Sequence, residues 1–344
     1  MEVPRGTEED RHVSLRVRAL GSGEAGLLRE PLARRQHLPL ARAYGLPSEA
    51  ALGWALRTFT DAAESGGTML VVESGEAVIG GVAIARSDWE SSIYGMPMGR
   101  IAFCFISADN RSDLAREAAA RLAEGTGSTL DKMAIRHCSA IVMAEDAAFT
   151  HALEGAGWRL MDSTLELGWE CGRTAAPGTD GRVAVREPVP ADSATLEDLA
   201  RDSFTHSIRT RFSTDPWLPL ARTGDLYALW LQRSFAGEFA DAVAVAAIGG
   251  RPVGFCTTKK DRTLSAATGI GFASLGFMAV APDCRGLGVA PALLHWLSEW
   301  HRARAGRFTR SRVLIGNYAV QRSCLKSGAF VAQAWHTFHC LRNA

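Results

Sequence analysis

The stretch SLGFMAVAPDCRGLGVAPALLHWLSEW, from Ser274 to Trp300, decides the reading of this chain. Ser274 to Val280 is apolar enough for a buried strand, and Ala281-Pro282-Asp283 ends it. Arg285-Gly286-Leu287-Gly288-Val289-Ala290 then opens a helix, in which Leu293, Leu294, Leu297 and Trp300 recur at helical spacing. A strand, a Gly-rich turn and a helix start together make an anion site. Unpaired backbone N–H groups converge there, and the helix dipole favours negative charge. Gly286 and Gly288 allow close approach of a ligand, Ala290 is small, and Pro291 falls in the first turn, where its missing N–H costs little. Cys284 and Arg285 bring the chain in, and the Arg285 guanidinium adds charge. No Gly-Lys-Ser/Thr follows Gly288, so this is not a nucleotide P-loop, and the spacing is a poor dinucleotide fingerprint.

Working outward, two series of elements share one order: helices, hairpin, strand, helix, strand, short helix stopped by Gly, strand. In the first, a helical region runs to about residue 65. Thr68 to Val72 and Ala77 to Ala85 form a hairpin, Gly99 to Ile106 a strand, and Leu114 to Glu124 a helix capped by Asn110, Ser112 or Asp113. In the second, Ala242 to Ile248 and Val253 to Thr258 form the hairpin around Gly249-Gly250-Arg251-Pro252. Phe149 to Trp158 echoes Gln321 to Phe330, and the whole reads as an internal duplication. The Gly-, Pro- and Thr-rich CGRTAAPGTDGR, Cys171 to Arg182, reads as the linker. The expected units are therefore 13–170, a linker at 171–183, and 184–344. The first dozen residues read as a loose tail.

The bulk composition agrees with an ordinary globular chain. It has 344 residues, 47% hydrophobic and 22% charged, which suits two compact cores. A net charge of +1 gives no reason to expect nucleic acid or an anionic membrane as a partner. Seven scattered cysteines without a CxxC argue against a disulfide framework or structural zinc, so no metal is expected. No signal peptide or membrane-length apolar run is visible, which places the expected chain in the cytoplasm.

Arg285-x-x-Gly288-x-Ala290 resembles the pyrophosphate-binding segment of the GNAT (Gcn5-related) N-acetyltransferase superfamily. Asn317, just after a strand and followed by VQRSCLKSGAF, resembles that family's last conserved unit, where an Asn meets the pantetheine arm of acetyl-CoA. A closer resemblance, to bacterial amino-sugar N-acetyltransferases of the dTDP-fucosamine type, rests on RFSTDPWLPLARTGDLYALWLQRSFAGEF (211–239) and DWESSIYGMPMGRI (88–101). It implies an α/β fold of two tandem GNAT-like domains, with mixed central sheets flanked by helices and a degenerate N-terminal copy. The first copy has ISADNRSD (106–113) where the second has its Gly-rich turn, so it is expected to shape the acceptor site rather than to bind CoA.

The resemblance implies direct transfer of acetyl from acetyl-CoA to an amine, with no metal. A main-chain N–H on Phe277 to Val280 would serve the developing oxyanion, and Met278, Ala279 and Val280 would pair with the pantetheine. Arg285, Gly286, Leu287, Gly288, Val289 and Ala290 would hold the diphosphate, with Asn317 and Arg322 beside them. Two residues compete for the acid that returns a proton to the CoA thiolate. Cys324 stands at the position of the family's tyrosine, where it is a substitute acid, a packed small residue or a nucleophile. Tyr318 is the other, while His336 and His339 are each read as a candidate base or substrate contact. His336 and His339, three apart on one strand, point to opposite faces, so at most one faces the site. No Asp or Glu lies within Phe272 to Val280, where many relatives place a base; Ser274 there could relay only through water. His206, Arg209, Arg211 and Trp217 are the candidate acceptor contacts, and Asp88-Trp89-Glu90 reads as a structural turn. The expected partner is a small amine, best an amino sugar or sugar nucleotide, and the protein is expected to be a monomer or homodimer. Two alternatives remain: another acceptor amine (an antibiotic intermediate, a mycothiol-type amine or a peptide), or a CoA-binding module without turnover.

Overall fold

The computed structural model describes residues 14–35, 38–173 and 181–342. The first series begins with a strand rather than a helix, β1 (Leu15–Leu20). Helices α1 (Arg29–Ala33), α2 (Ala41–Tyr44) and α3 (Ser48–Glu64) follow. Next come β2 (Thr68–Ser74), β3 (Ala77–Arg86), α4 (Asp88–Tyr94) and β4 (Met98–Ile106). The series closes with α5 (Asp113–Lys132), β5 (His137–Met143), α6 (Ala147–Gly155) and β6 (Arg159–Glu170). Of the proposed caps, Ser112 does the work: its hydroxyl accepts the Ala115 N–H at 3.1 Å.

The second series repeats this plan. It runs β7 (Val183–Arg186), α7 (Ser193–Asp202), α8 (Leu220–Phe235), β8 (Ala242–Ile248) and β9 (Arg251–Lys260). It continues through α9 (Arg262–Thr268), β10 (Gly271–Val280), α10 (Val289–Arg302), β11 (Gly306–Leu314), α11 (Tyr318–Lys326) and β12 (Phe330–Leu341). The anticipated tail lies outside the described residues, as does the middle of the anticipated linker. Asp88-Trp89-Glu90 is not a turn: it starts α4.

All twelve strands form one sheet, in the order β1-β2-β3-β4-β5-β12-β6-β11-β10-β9-β8-β7. The order is symmetric about its middle, and the two copies exchange their sixth strands. β12 pairs with β5 of the first copy, β6 pairs with β11 of the second, and β6 and β12 pair with each other. The two parallel pairings, β4–β5 and β10–β11, each last for only a few residues. Past Ser274 and Arg310 the second pair separates, leaving one edge of β10 open.

The apolar stripe read from the sequence buries as its spacing requires. Leu293, Leu294 and Leu297 on α10 are at most 3% exposed, in a core shared with β8, β9 and β10. Burying each such side chain stabilises by roughly 1.5–3 kcal/mol relative to leaving it in water. Another core joins α7 and α8 to Tyr94 and Met98 of the first copy, which fastens α4 beside the second copy's helices.

Candidate active site

The open edge of β10 is set by a bulge. Opposite β9 the register shifts between Leu275 and Met278. Gly276 is required there, because a Cβ would sit 2.6 Å from Thr257 Oγ1. The Phe277 N–H donates to that same Oγ1 at 3.2 Å, so Phe277 is not the free amide. Farther on, the Ala281 N–H donates to the Val253 carbonyl at 2.8 Å. Alternation along an antiparallel strand puts the Ala279 N–H on that same side and turns those of Met278 and Val280 toward the open edge.

The helix that follows starts as the sequence requires. Gly286 and Gly288 have φ of 81° and 83°, in the region that favours glycine, and Gly288 is the N-cap of α10. Among the described residues, the amides of Gly286, Leu287, Gly288, Val289 and Ala290 have no acceptor. Gly286, Gly288, Val289 and Ala290 border a cleft of about 970 Å³ lined also by Met278, Ala279, Val280 and Asn317. Its charged lining residues are Arg209, Arg285, Arg322 and Lys326, with no carboxylate among them. A run of open amides at a helix start, ringed by cations, fits a diphosphate-bearing ligand such as CoA. Leu287, expected among the cofactor contacts, does not line the cleft, and its side chain is 48% exposed.

A second cleft, of about 640 Å³, opens on the other side of Met278. The two clefts share Ile208, Arg209, Met278, Leu314, Asn317 and Val320. Both copies build the second cleft: Trp54, Glu90, Arg100 and Asp162 come from the first, Tyr227, Phe277, Arg312 and Trp335 from the second. Phe277 lies against Phe204, Tyr227, Trp230 and Phe255, with centroids 5.2–5.7 Å apart, and makes the apolar floor. Arg211 donates to Glu90 at 2.6 Å across the two copies. Among the described residues Asp162 has no ion-pair partner, and its Oδ1 is buried with no hydrogen-bond partner. Burial raises its pKa, with smaller opposing effects from Thr337 and from Arg211 and Arg312.

Several expected site residues lie elsewhere. Cys324 is fully buried in the α10 core and lines neither cleft, and burial pushes its thiol up to about 12. That makes it a packed residue, too weak an acid and too enclosed to serve the thiolate. Tyr318 is 72% exposed and lines neither cleft. His336 Nδ1 is bound to Ser163 Oγ at 2.8 Å, between β5 and β6, and also stays outside both. His206 is exposed on the turn after α7, away from both clefts. Trp217 packs under Arg159, 5.0 Å from ring centroid to guanidinium. Arg209 and Arg211 do line the acceptor cleft, and Asn317 lines both. The Asn317 Oδ1 is used as the cap of α11, accepting the Val320 N–H at 3.3 Å. Ser274 donates to the Lys259 carbonyl and lines neither cleft.

Glu90 was read only as part of a turn, and Asp162, Arg312 and Trp335 were missed. They belong to no motif, but Thr309-Arg310-Ser311-Arg312-Val313 places two arginines on one face of a central strand, which is a readable sign of a polar cleft.

His339 has a different role. Its Nδ1 and the His137 Nε2 both bond Asp215 Oδ2, at 2.6 and 2.7 Å, and all three side chains have no solvent exposure. Burial alone would raise the Asp215 pKa; the two imidazoles and the Trp217 N–H overcome it and hold the carboxyl well below its ordinary value. Burial lowers the His339 imidazole to about 4. These groups could meet a metal geometrically, yet the distances are those of two N–H donors on one carboxylate oxygen. The cluster clamps β5 and β12 to the segment that precedes α8.

Residues 198–325 match the model of the Acetyltransferase (GNAT) family. That match lies within the second copy, from α7 to α11. Over its whole length its fold is similar to that of a GCN5-related N-acetyltransferase from Sphaerobacter thermophilus (14% identity, 95% of each chain, TM-score 0.60). It is also similar to a tandem GNAT protein from the clavulanic acid biosynthesis pathway (14% identity, 96% of this chain and 99% of that one, TM-score 0.52). A third likeness is to the glucosamine N-acetyltransferase region of a fungal multi-domain GH3 β-N-acetylglucosaminidase (12% identity, 98% of this chain and 40% of that one, TM-score 0.58). At these identities the likeness is one of fold, and it extends to the tandem arrangement of the GNAT copies. No curated protein matches the sequence. No helix among the described residues is long and apolar enough to cross a membrane.

Proposed function

We propose that this chain transfers acetyl from acetyl-CoA to the amine of a small molecule, in one ternary complex. The observation that carries this reading is the junction at Met278, where the cation-ringed cleft and the acceptor cleft meet on the open edge of β10. The Met278 and Val280 amides, turned to that edge, would hold the pantetheine and the thioester oxygen as charge develops on it. The Gly286 to Ala290 amides would fix the diphosphate and so set the distance between the two reactants. Asp162 is the carboxylate in the acceptor cleft that lacks an ion-pair partner among the described residues, and it would take the proton from the ammonium. With Cys324 enclosed, we assign the thiolate no protein acid; a thiolate is stable enough to leave and be protonated by solvent.

Among acceptors we favour an amino sugar or sugar nucleotide. The likeness to dTDP-fucosamine acetyltransferases in residues 88–101 and 211–239 supports it, because Glu90, Arg100, Arg211 and Tyr227 from those segments line the acceptor cleft. We read the chain as a cytoplasmic monomer or homodimer with neither nucleic acid nor membrane as partner; its seven cysteines are all unpaired, as a reducing compartment would keep them.

The test is thiol release from acetyl-CoA against amino-sugar nucleotides, aminoglycosides and small amines, with wild type and Gly288→Trp. Turnover by wild type with loss of CoA binding in the variant is the expected result. CoA binding without turnover on any amine would favour a binding module, and no CoA binding would refute the reading.

A further inference from the structure

Three guanidiniums crowd one wall of the acceptor cleft. Arg211 is paired with Glu90 at 2.6 Å, and Arg310 is paired with Asp261 at 2.6 Å and Glu166 at 3.3 Å. Arg312, two residues along β11 and on the same face, has no carboxylate and no hydrogen-bond partner among the described residues. Its neighbour is the Trp335 ring, 5.1 Å from the guanidinium carbon to the centroid. Arg312 is exposed, but to the cleft rather than to open water: protein surrounds it, and desolvation followed by repulsion from Arg310 and Arg211 works against its charge. Glu166 and Asp162 offset part of this without contacting it. A planar five-donor fork, stacked on an indole and held open in a closed-in cleft, is a built receptor for a carboxylate or phosphate.

We propose that the acceptor carries an anionic group as well as its amine, and that Arg312 seats that group. The inference rests on the acetyltransferase reading and narrows its substrate class: a carboxylate- or phosphate-bearing amine, rather than a neutral or polycationic one such as an aminoglycoside. The Arg312–anion contact fixes one end of the acceptor against Trp335. The amine end then lies toward Asp162 and the Met278 junction.

The experiment titrates inorganic phosphate and malonate, separately, into protein saturated with CoA, so that the Gly286 to Ala290 loop is already filled. One site per chain is expected, weakened at least about tenfold in Arg312→Gln and partly restored in Arg312→Lys, since a bidentate charged contact is lost and a point charge regained. CoA affinity, measured in the same samples, stays unchanged and reports that the variants are folded. Binding of malonate alone marks a carboxylate acceptor, phosphate alone a phosphate ester, and both an anion site of either kind. No anion binding by wild type up to about 10 mM, or equal binding by Arg312→Gln, overturns the proposal. If CoA itself fails to bind, the acetyltransferase reading falls separately. The anion titration is then run on Gly288→Trp, whose loop is blocked, and scored in the same way.

Discussion

Asp215→Ala isolates the clamp between the two copies. In the native fold one carboxylate oxygen accepts from His137 Nε2 and His339 Nδ1, and the other accepts the Trp217 N–H at 2.8 Å. Alanine leaves two buried imidazoles facing each other with no acceptor. Changing tautomer does not help, because His137 Nδ1 and His339 Nε2 also lack partners. Each buried orphan donor costs about 1–3 kcal/mol, more when the lost partner was charged. A water admitted to the vacated space would recover part of this. The expected loss is therefore about 3–5 kcal/mol, a large part of the ~5–15 kcal/mol typical of a folded domain. Asp215→Asn keeps an acceptor oxygen and should lose about 1–2 kcal/mol. Urea unfolding followed by tryptophan fluorescence gives both numbers, with the midpoint falling and the slope kept. A loss below about 1 kcal/mol for Asp215→Ala would show that the clamp does not hold the sheet together.

The same cluster sets a pH dependence. Folding holds the His339 imidazole down at about 4, whereas an unfolded imidazole takes its proton near 6.5. The unfolded chain therefore binds more protons in that window, so stability is full above pH ~6.5 and falls as the pH drops toward 4, by up to about 1.4 kcal/mol per unit. Flat stability between these values would contradict it. Cys324→Ala should keep kcat and lose about 1 kcal/mol of stability, as a small core truncation does; a collapse of kcat in folded protein would return the thiol to the chemistry. Asp162→Asn should cut kcat by about 10²–10⁴-fold with CoA affinity unchanged, and should remove the acid limb of the kcat/KM profile. A limb that survives in the variant would assign it to another group.

The sequence made the second copy's fold legible because strand, Gly-rich turn and striped helix are local features. Gly286, Gly288 and Pro291 state their backbone needs within a few residues, and the structure meets them. The acceptor cleft was less legible. It is assembled from Glu90 on α4, Asp162 on β6 and Arg312 on β11, far apart in the chain and brought together only by the sheet order. Cys324 left three readings open because alignment to a family position says nothing of which way a side chain points; its neighbours on α10 enclose it, which favours the packed residue. The exchanged strands were not readable either. β6 and β12 have the same pattern and length, and no local property says which copy each will join.

That exchange has a consequence for synthesis. β5 is complete at Met143, but the strand that covers its edge begins at Phe330. At ~5–20 residues per second the intervening chain takes roughly 10–40 s to emerge. Throughout that time β5 offers a bare row of backbone groups, and β6, made only moments after it, is the nearest thing to fill it. A nascent chain that yields to that pairing must later release β6 so that β12 can enter between them, which makes the order of arrival on the ribosome an adversary of the final sheet.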